Sequence, residues 1–167
     1  IHATEKDIHS LRTHIFNNII WPDFTKIPNA YGPLLGFHPF TPNQPFLLND
    51  LTFTAIPVNH TVDTCGFLVD DGQVSIGFTS DTALTDQFWE EMNRSERLAA
   101  IFVDVAFNNA LEGVALASKH LTPHLLTQEL KKLHRKVEII AVNLKPMCRE
   151  IVGAEIVALN DPQITVA

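Results

Sequence analysis

Residues 56–82 read IPVNHTVDTCGFLVDDGQVSIGFTSDT. A strand runs into His60. Gly66–Asp70 and Gln73–Phe78 then flank Asp71-Gly72, a two-residue hairpin signal, and the return strand runs out to Asp81. The pattern places an imidazole and a carboxylate just past the ends of neighbouring strands. Those two groups are first-choice ligands for a divalent metal that activates water. Taken singly, His60 reads as a polar residue at a strand end and Asp81 as a turn or helix N-cap aspartate. Together, on adjoining strand ends, they read as half of a hydrolytic centre, because zinc normally takes three or four protein ligands.

Outward from this stretch, the residues alternate between strand and helix patterns. Leu51–Val58 alternates around Thr52 and Thr54 as a strand does. Thr4–Ile20 is predicted as an amphipathic helix with Thr4 as N-cap and Ile8, Leu11, Ile15 and Ile19 at helical spacing, stopped by Trp21-Pro22. The stretch 29–45, with Pro33, Pro39, Pro42 and Pro45, is predicted as loops and short strands. Downstream, Thr85–Asn93 is a helix with Phe88, Trp89 and Met92 inward, and Ala99–Val105 is an apolar run suited to a buried strand. Leu111–Ala117 follows as a short helix, and Thr122-Pro123 opens another through about Leu133. Val137–Val142 is a second buried strand, Lys145–Val152 a short helix, and Glu155–Leu159 and Gln163–Val166 are edge-strand candidates. Strands alternating with helices give an α/β layered fold.

The 167 residues suit a single domain, 1–167, and 46% hydrophobic content suffices for a core. No apolar run reaches the roughly 18 residues that span a bilayer, so no membrane contact is expected. The net charge of −7 opposes a nucleic-acid partner, which would require a basic face. It is compatible with a small anion held by a metal, since an ion reverses the local field. Cys65 and Cys148 form no C-x-x-C; a disulfide between them is left open, and Cys65 reads as core. Residue 1 is Ile and the methionines are Met92 and Met147, so the chain reads as a processed product or part of something longer.

Two further positions carry chemistry. His120 lies in the loop before Pro123, where an imidazole can enter a cleft and act as a general acid or hold an anionic transition state; the plainer reading is a surface loop histidine. Asn143 ends the VEIIAV strand, at the sheet edge where α/β folds gather ligands. Asparagine is usually a turn former there, and its amide is a poor ligand for a soft metal. His124 is expected on the exposed first turn of its helix, and His2, His9, His14, His38 and His134 read as structural or solvated. The sequence holds no G-x-S-x-G, no P-loop and no nucleophilic Cys with a nearby His.

In order, five blocks resemble the class II cyclic-nucleotide phosphodiesterases of the metallo-β-lactamase superfamily. They are His14-Ile15-Phe16-Asn17 with Ile20-Trp21-Pro22-Asp23-Phe24, Val58-Asn59-His60, Phe78-Thr79-Ser80-Asp81-Thr82, His120-Leu121-Thr122-Pro123, and Leu144-Lys145-Pro146. The resemblance implies an αββα sandwich, seen without its N-terminal part, and a two-metal site, usually zinc. It makes His60 the ligand of the first metal and Asp81 the bridging carboxylate. His120 becomes the loop histidine near the scissile phosphate. The implied reaction is in-line attack of an activated water on the cyclic phosphodiester of cyclic AMP, or cyclic GMP, giving the 5′-nucleotide.

The chain departs from that family twice. The H-x-H-x-D-H cluster that supplies most ligands is absent, and Asn143 stands where the family has a ligand histidine. The second departure weakens the second metal. It supports an alternative, a degenerate relative that binds a nucleotide or a protein partner with weak or no turnover. A third reading, a related nuclease or arylsulfatase, is disfavoured by the acidic charge and the WPDF and HLTP blocks. The residues present are expected to leave one sandwich face open, to be covered by a further segment or by a second copy in a homodimer. Family members occur both in the periplasm and in the cytosol.

Overall fold

In the computed structural model, which describes residues 1–167, the chain forms two compact units, Ile1–Gln44 and Pro45–Ala167. The first unit holds β1 (His2–Ala3), α1 (Glu5–His14), β2 (Pro28–Asn29), β3 (Gly32–Pro33) and β4 (His38–Pro39). Thr4 caps α1 as expected, its Oγ1 accepting from the Asp7 N–H at 3.2 Å. The helix stops at His14, well short of Ile20. Asn17 is the reason. Its side chain donates to the Thr13 carbonyl (3.0 Å) and accepts from the Ile19 and Ile20 N–H groups (2.9 Å each), folding the chain into a turn that Asn18 continues at φ 62°. Ile19 is therefore 85% exposed and not a helical core residue.

The second unit holds β5 (Pro45–Leu48), β6 (Leu51–Val58), β7 (Thr64–Asp70), β8 (Ser75–Phe78), α2 (Gln87–Arg94) and β9 (Leu98–Asp104). A 3₁₀ turn (Asn109–Leu111) follows, then α3 (Glu112–Ser118), α4 (Pro123–Leu130), β10 (Glu138–Val142), α5 (Arg149–Ala158) and β11 (Ile164–Val166). Seven strands form one mixed sheet in the order β11-β10-β9-β8-β7-β6-β5. Strands β8 to β11 run parallel and β5 to β8 pair antiparallel. The α/β class is as expected, and this sheet with helices on one face supplies one β layer and one α layer of the αββα arrangement.

The helical side holds the core. Ile56, Leu68, Ile101, Val103, Ile139 and Ile164 pack with Phe88, Trp89 and Met92 of α2, Leu125 and Leu126 of α4, and Val152 and Ile156 of α5. Each fully buried large side chain contributes about 1.5–3 kcal/mol of transfer free energy. On the opposite face Phe78, 37% exposed, stacks on Phe102 at 4.9 Å, and Phe46 stacks on Phe53 at 5.6 Å.

Two local expectations need correction. Glu155–Leu159 is helical up to Ala158, not an edge strand: Val152 and Ile156, four residues apart, bury one face of a continuous α5. The hairpin loop spans residues 71–74, since the Asp70↔Ser75 pair closes it. Asp71 Oδ1 captures the N–H groups of Gln73 and Val74 at 2.7 Å each, an Asx turn that withdraws two more residues from the ladder. Cys148 is buried, Cys65 is half-buried, and no disulfide joins them.

Gly66 of β7 is packed against backbone too closely to admit a side chain. A Cβ there would lie 2.7 Å from the Phe78 carbonyl oxygen and 3.0 Å from both the Thr79 carbonyl and the Phe88 ring. Backbone atoms cannot yield as a flexible side chain does, so Gly66→Ala is expected to lower stability by about 2–3 kcal/mol. The check is a fall in the urea midpoint at unchanged m.

Candidate metal centre

The parallel strands bring their C-terminal ends to one sheet edge, where β6 leads to His60, β8 to Asp81, β9 to Asp104 and β10 to Asn143. The expected adjacency of the His60 and Asp81 strands is corrected: antiparallel β7 lies between β6 and β8. The loops bridge that gap. The Asn59 N–H donates to Thr82 Oγ1 (3.2 Å), the Ala83 N–H to the Asn59 carbonyl (2.8 Å), and Asn59 Nδ2 to the Leu84 carbonyl (3.0 Å). These bonds bring His60 Nε2 to 3.9 Å from Asp81 Oδ2.

His120 joins them from the loop before α4. One ligating atom from each of His60, Asp81 and His120 lies within 4.8 Å of the others. The two imidazoles meet edge to face, with ring centres 5.2 Å apart. His120 is 7% exposed, a buried residue and not a surface one.

Each imidazole has its Nδ1 occupied. His60 Nδ1 lies 3.0 Å from the Lys119 carbonyl, which can only accept, so Nδ1 carries the proton and Nε2 keeps its lone pair. Lys119 Nζ donates back to the His60 carbonyl at 2.9 Å, closing a two-point clasp. His120 Nδ1 lies 2.8 Å from Asp104 Oδ2, which leaves its Nε2 available as well. Hydrogen bonding of this kind orients a metal-ligating or proton-transferring imidazole.

Asp104 is 1% exposed, and sequence reading missed it. Its signal was a carboxylate at the end of the apolar run AAIFVDV, since a buried aspartate demands partners. Oδ2 also accepts from the Thr82 N–H (3.3 Å), and Oδ1 accepts from Asn143 Nδ2 (2.9 Å). Burial pushes the Asp104 carboxyl above the ordinary aspartate range, against the lowering effect of its hydrogen bonds from His120, Asn143 and Thr82. Asn143 Nδ2 also donates to Asp81 Oδ1 at 3.0 Å. Seven non-glycine residues adopt positive φ; five are asparagines, Asn143 among them, and the other two, Ser80 (55°) and Lys119 (56°), adjoin Asp81 and His120. Left-handed backbone costs such residues about 1–2 kcal/mol and concentrates at functional sites.

The Asp81 loop is held from beneath by Glu129 of α4, which is fully buried. Its Oε2 accepts from the Thr85 N–H (2.9 Å) and Trp89 Nε1 (2.7 Å). Its Oε1 lies 2.6 Å from Lys132 Nζ as an ion pair out of line for a hydrogen bond. Lys132 Nζ also lies 2.7 Å from Asp86 Oδ1 and donates to the Thr85 carbonyl at 2.9 Å. Glu129→Leu strands two buried N–H donors and is expected to cost about 3 kcal/mol, read by chemical denaturation. Burial pulls the Lys132 ammonium down, but Asp86 and Glu129 outweigh it and raise it above the ordinary lysine range. A raised lysine gives stability that is full below its unfolded value and lost as pH rises through the folded one. The Lys132→Met deficit should therefore shrink in strongly alkaline solution, and it should be smaller than that of Glu129→Leu because the Lys132 side chain is 32% exposed.

The donor set fits a divalent cation. Tetrahedral zinc with ligands near 2.0–2.1 Å sets pairs of ligand atoms about 3.4 Å apart, so the 3.9 Å between His60 Nε2 and Asp81 Oδ2 needs little closure. At Asn143 the two carboxylates meet N–H donors and not a lone pair, so this side chain as placed supplies no metal ligand.

Comparison with known proteins identifies the family and the fold. Residues 19–141 match the family described as beta-lactamase superfamily domain. Nothing among curated proteins matches the chain. Among solved structures, the metallo-beta-lactamase fold protein YhfI from Bacillus subtilis superposes with a TM-score of 0.74 at 15% identity, over 100% of this chain and 61% of that one. A diphosphatase of the PhnP family gives 0.67 at 17% identity, over 99% and 54%. Zn(2+)-bound PqqB from Methylobacterium extorquens gives 0.69 at 12% identity, over 99% and 61%. The chain thus spans between 54% and 61% of the length of these three structures.

Proposed function

Because the chain belongs to the family of beta-lactamase superfamily domains, we propose that it carries part of the centre of a metal-dependent phosphodiesterase acting on a 3′,5′-cyclic nucleotide. The observation that carries this reading is the convergence of His60, Asp81 and His120 from three loops at one sheet edge. The sequence blocks that resemble class II cyclic-nucleotide phosphodiesterases support the substrate class, and the net charge of −7 favours a small anion over a long nucleic acid.

His60, through Nε2, and Asp81, through Oδ2, would hold the cation, zinc being the ion suited to these donors. Such an ion lowers the pKa of a water and polarises a phosphoryl oxygen. His120 supplies the proton. Asp104 accepts from its Nδ1–H at 2.8 Å, so Nε2 faces the His60–Asp81 side of the cleft; the doubly protonated ring gives its Nε2 proton to the departing 3′-oxygen and is left as the neutral Nδ1–H form. Phe107 packs edge to face on the same ring, 5.8 Å between centres, and limits its rotation.

The test is hydrolysis of cyclic AMP and cyclic GMP by the protein with added zinc or manganese, the product identified as the 5′-nucleotide. Bis(p-nitrophenyl) phosphate and pyrophosphate serve as comparison substrates. Turnover of the aryl diester alone would refute the cyclic-nucleotide substrate while sparing the hydrolase. Tight nucleotide binding without turnover would favour the degenerate relative, the reading that Asn143 supports.

A further inference from the structure

We propose that Asn143 is a positioning residue that ties the cation-binding carboxylate to the proton-transfer pair, and not merely a ligand position gone vacant; this rests on the functional reading above. One carboxamide nitrogen, Nδ2, donates to Asp81 Oδ1 at 3.0 Å and to Asp104 Oδ1 at 2.9 Å. Nδ2 carries two hydrogens and no usable lone pair, so both are spent on carboxylates. Each carboxylate then has its other oxygen directed at an imidazole: Asp81 Oδ2 lies 3.9 Å from His60 Nε2, and Asp104 Oδ2 lies 2.8 Å from His120 Nδ1. The amide thus fixes the rotation of both carboxylates at once.

Charge and backbone both suit asparagine here. Two carboxylates sharing one neighbour repel, and the positive end of an amide dipole placed between them relieves that repulsion without an ion. Asn143 sits at φ 62°, a left-handed conformation that asparagine adopts more readily than most side chains. The arrangement assigns this place to an amide donor and not to a metal ligand.

Asn143→Gly is the decisive variant, because glycine keeps the positive φ without strain while deleting the amide. Asn143→Asp is the second, isosteric variant; it removes the paired donor and adds a third carboxylate. Two readouts are taken at one pH: two-bond proton–nitrogen correlations of the His120 ring, and zinc or cobalt(II) titration for affinity and stoichiometry. In the unaltered protein the neutral form of His120 should show a single Nδ1–H tautomer, with one cation bound per chain. Asn143→Gly should give mixed His120 tautomers and weaken the cation by about tenfold or more, the usual effect of losing a hydrogen-bonding partner of a ligand. Unchanged tautomer and affinity in Asn143→Gly would overturn the proposal. So would Asn143→His if it took up a second cation with the His120 signal intact. If no form binds a cation but Asn143→Gly still scrambles the His120 tautomer, the positioning role stands and the metal reading falls.

Discussion

Replacing Asp81 by asparagine is expected to abolish measurable cation binding and, with it, phosphodiester turnover. Asp81 offers one free oxygen, Oδ2, toward His60 Nε2 at 3.9 Å, its other oxygen being held by Asn143. An amide of the same shape removes the charge that draws a divalent ion, and with its oxygen kept toward Asn143 it turns N–H donors, not a lone pair, to the cation side. Loss of a hydrogen-bonding partner outside the coordination sphere costs 10–100-fold in affinity, so loss of a charged ligand should exceed about 100-fold. His60→Ala should match it, since the Lys119 clasp then has no imidazole to orient. Calorimetric titration with zinc provides the measurement, and retained micromolar binding in Asp81→Asn would remove this aspartate from the ligand set.

The second large effect is expected at His120. General acid catalysis contributes roughly 10²–10⁴-fold, so His120→Ala should lower the hydrolysis rate of an alkyl phosphodiester by about that factor. Loss of packing alone would slow every substrate alike. Loss of a proton donor would not: an aryl diester, whose leaving group departs as a stable anion, should be spared most of the defect. Asp104→Asn should follow the same substrate pattern more weakly, because it leaves the imidazole in place but no longer fixes Nδ1 as the protonated nitrogen. Equal losses on the two substrate types would rule out the acid role.

Local pattern made much of the scaffold readable. Leu51–Val58 emerged with the bounds its alternation implied, and Phe88, Trp89 and Met92 face the core from α2 as their spacing required. Thr122 with Pro123 marked the start of α4 because cap and N1 chemistry are local. Misreadings arose where a side chain or a distant surface intervened. Asn17 ended α1 through three hydrogen bonds that no periodicity encodes. The 155–158 segment joined a helix because Ile156, one turn after Val152, could be buried in the core.

The sequence alone determined which polar residues follow the strands: His60, Asp81 and Asn143, with His120 in the loop before α4. These follow from alternation, turn chemistry and capping, which act over a few residues. Tertiary structure decided the rest. It fixed which nitrogen of each imidazole is occupied, raised Asp104 from an unremarked strand residue to the partner of His120, and turned Asn143 toward two carboxylates. Those outcomes depend on parallel β-edges and stitched loops meeting across wide sequence separations, and hydrogen-bond direction is set only once the partners are in place.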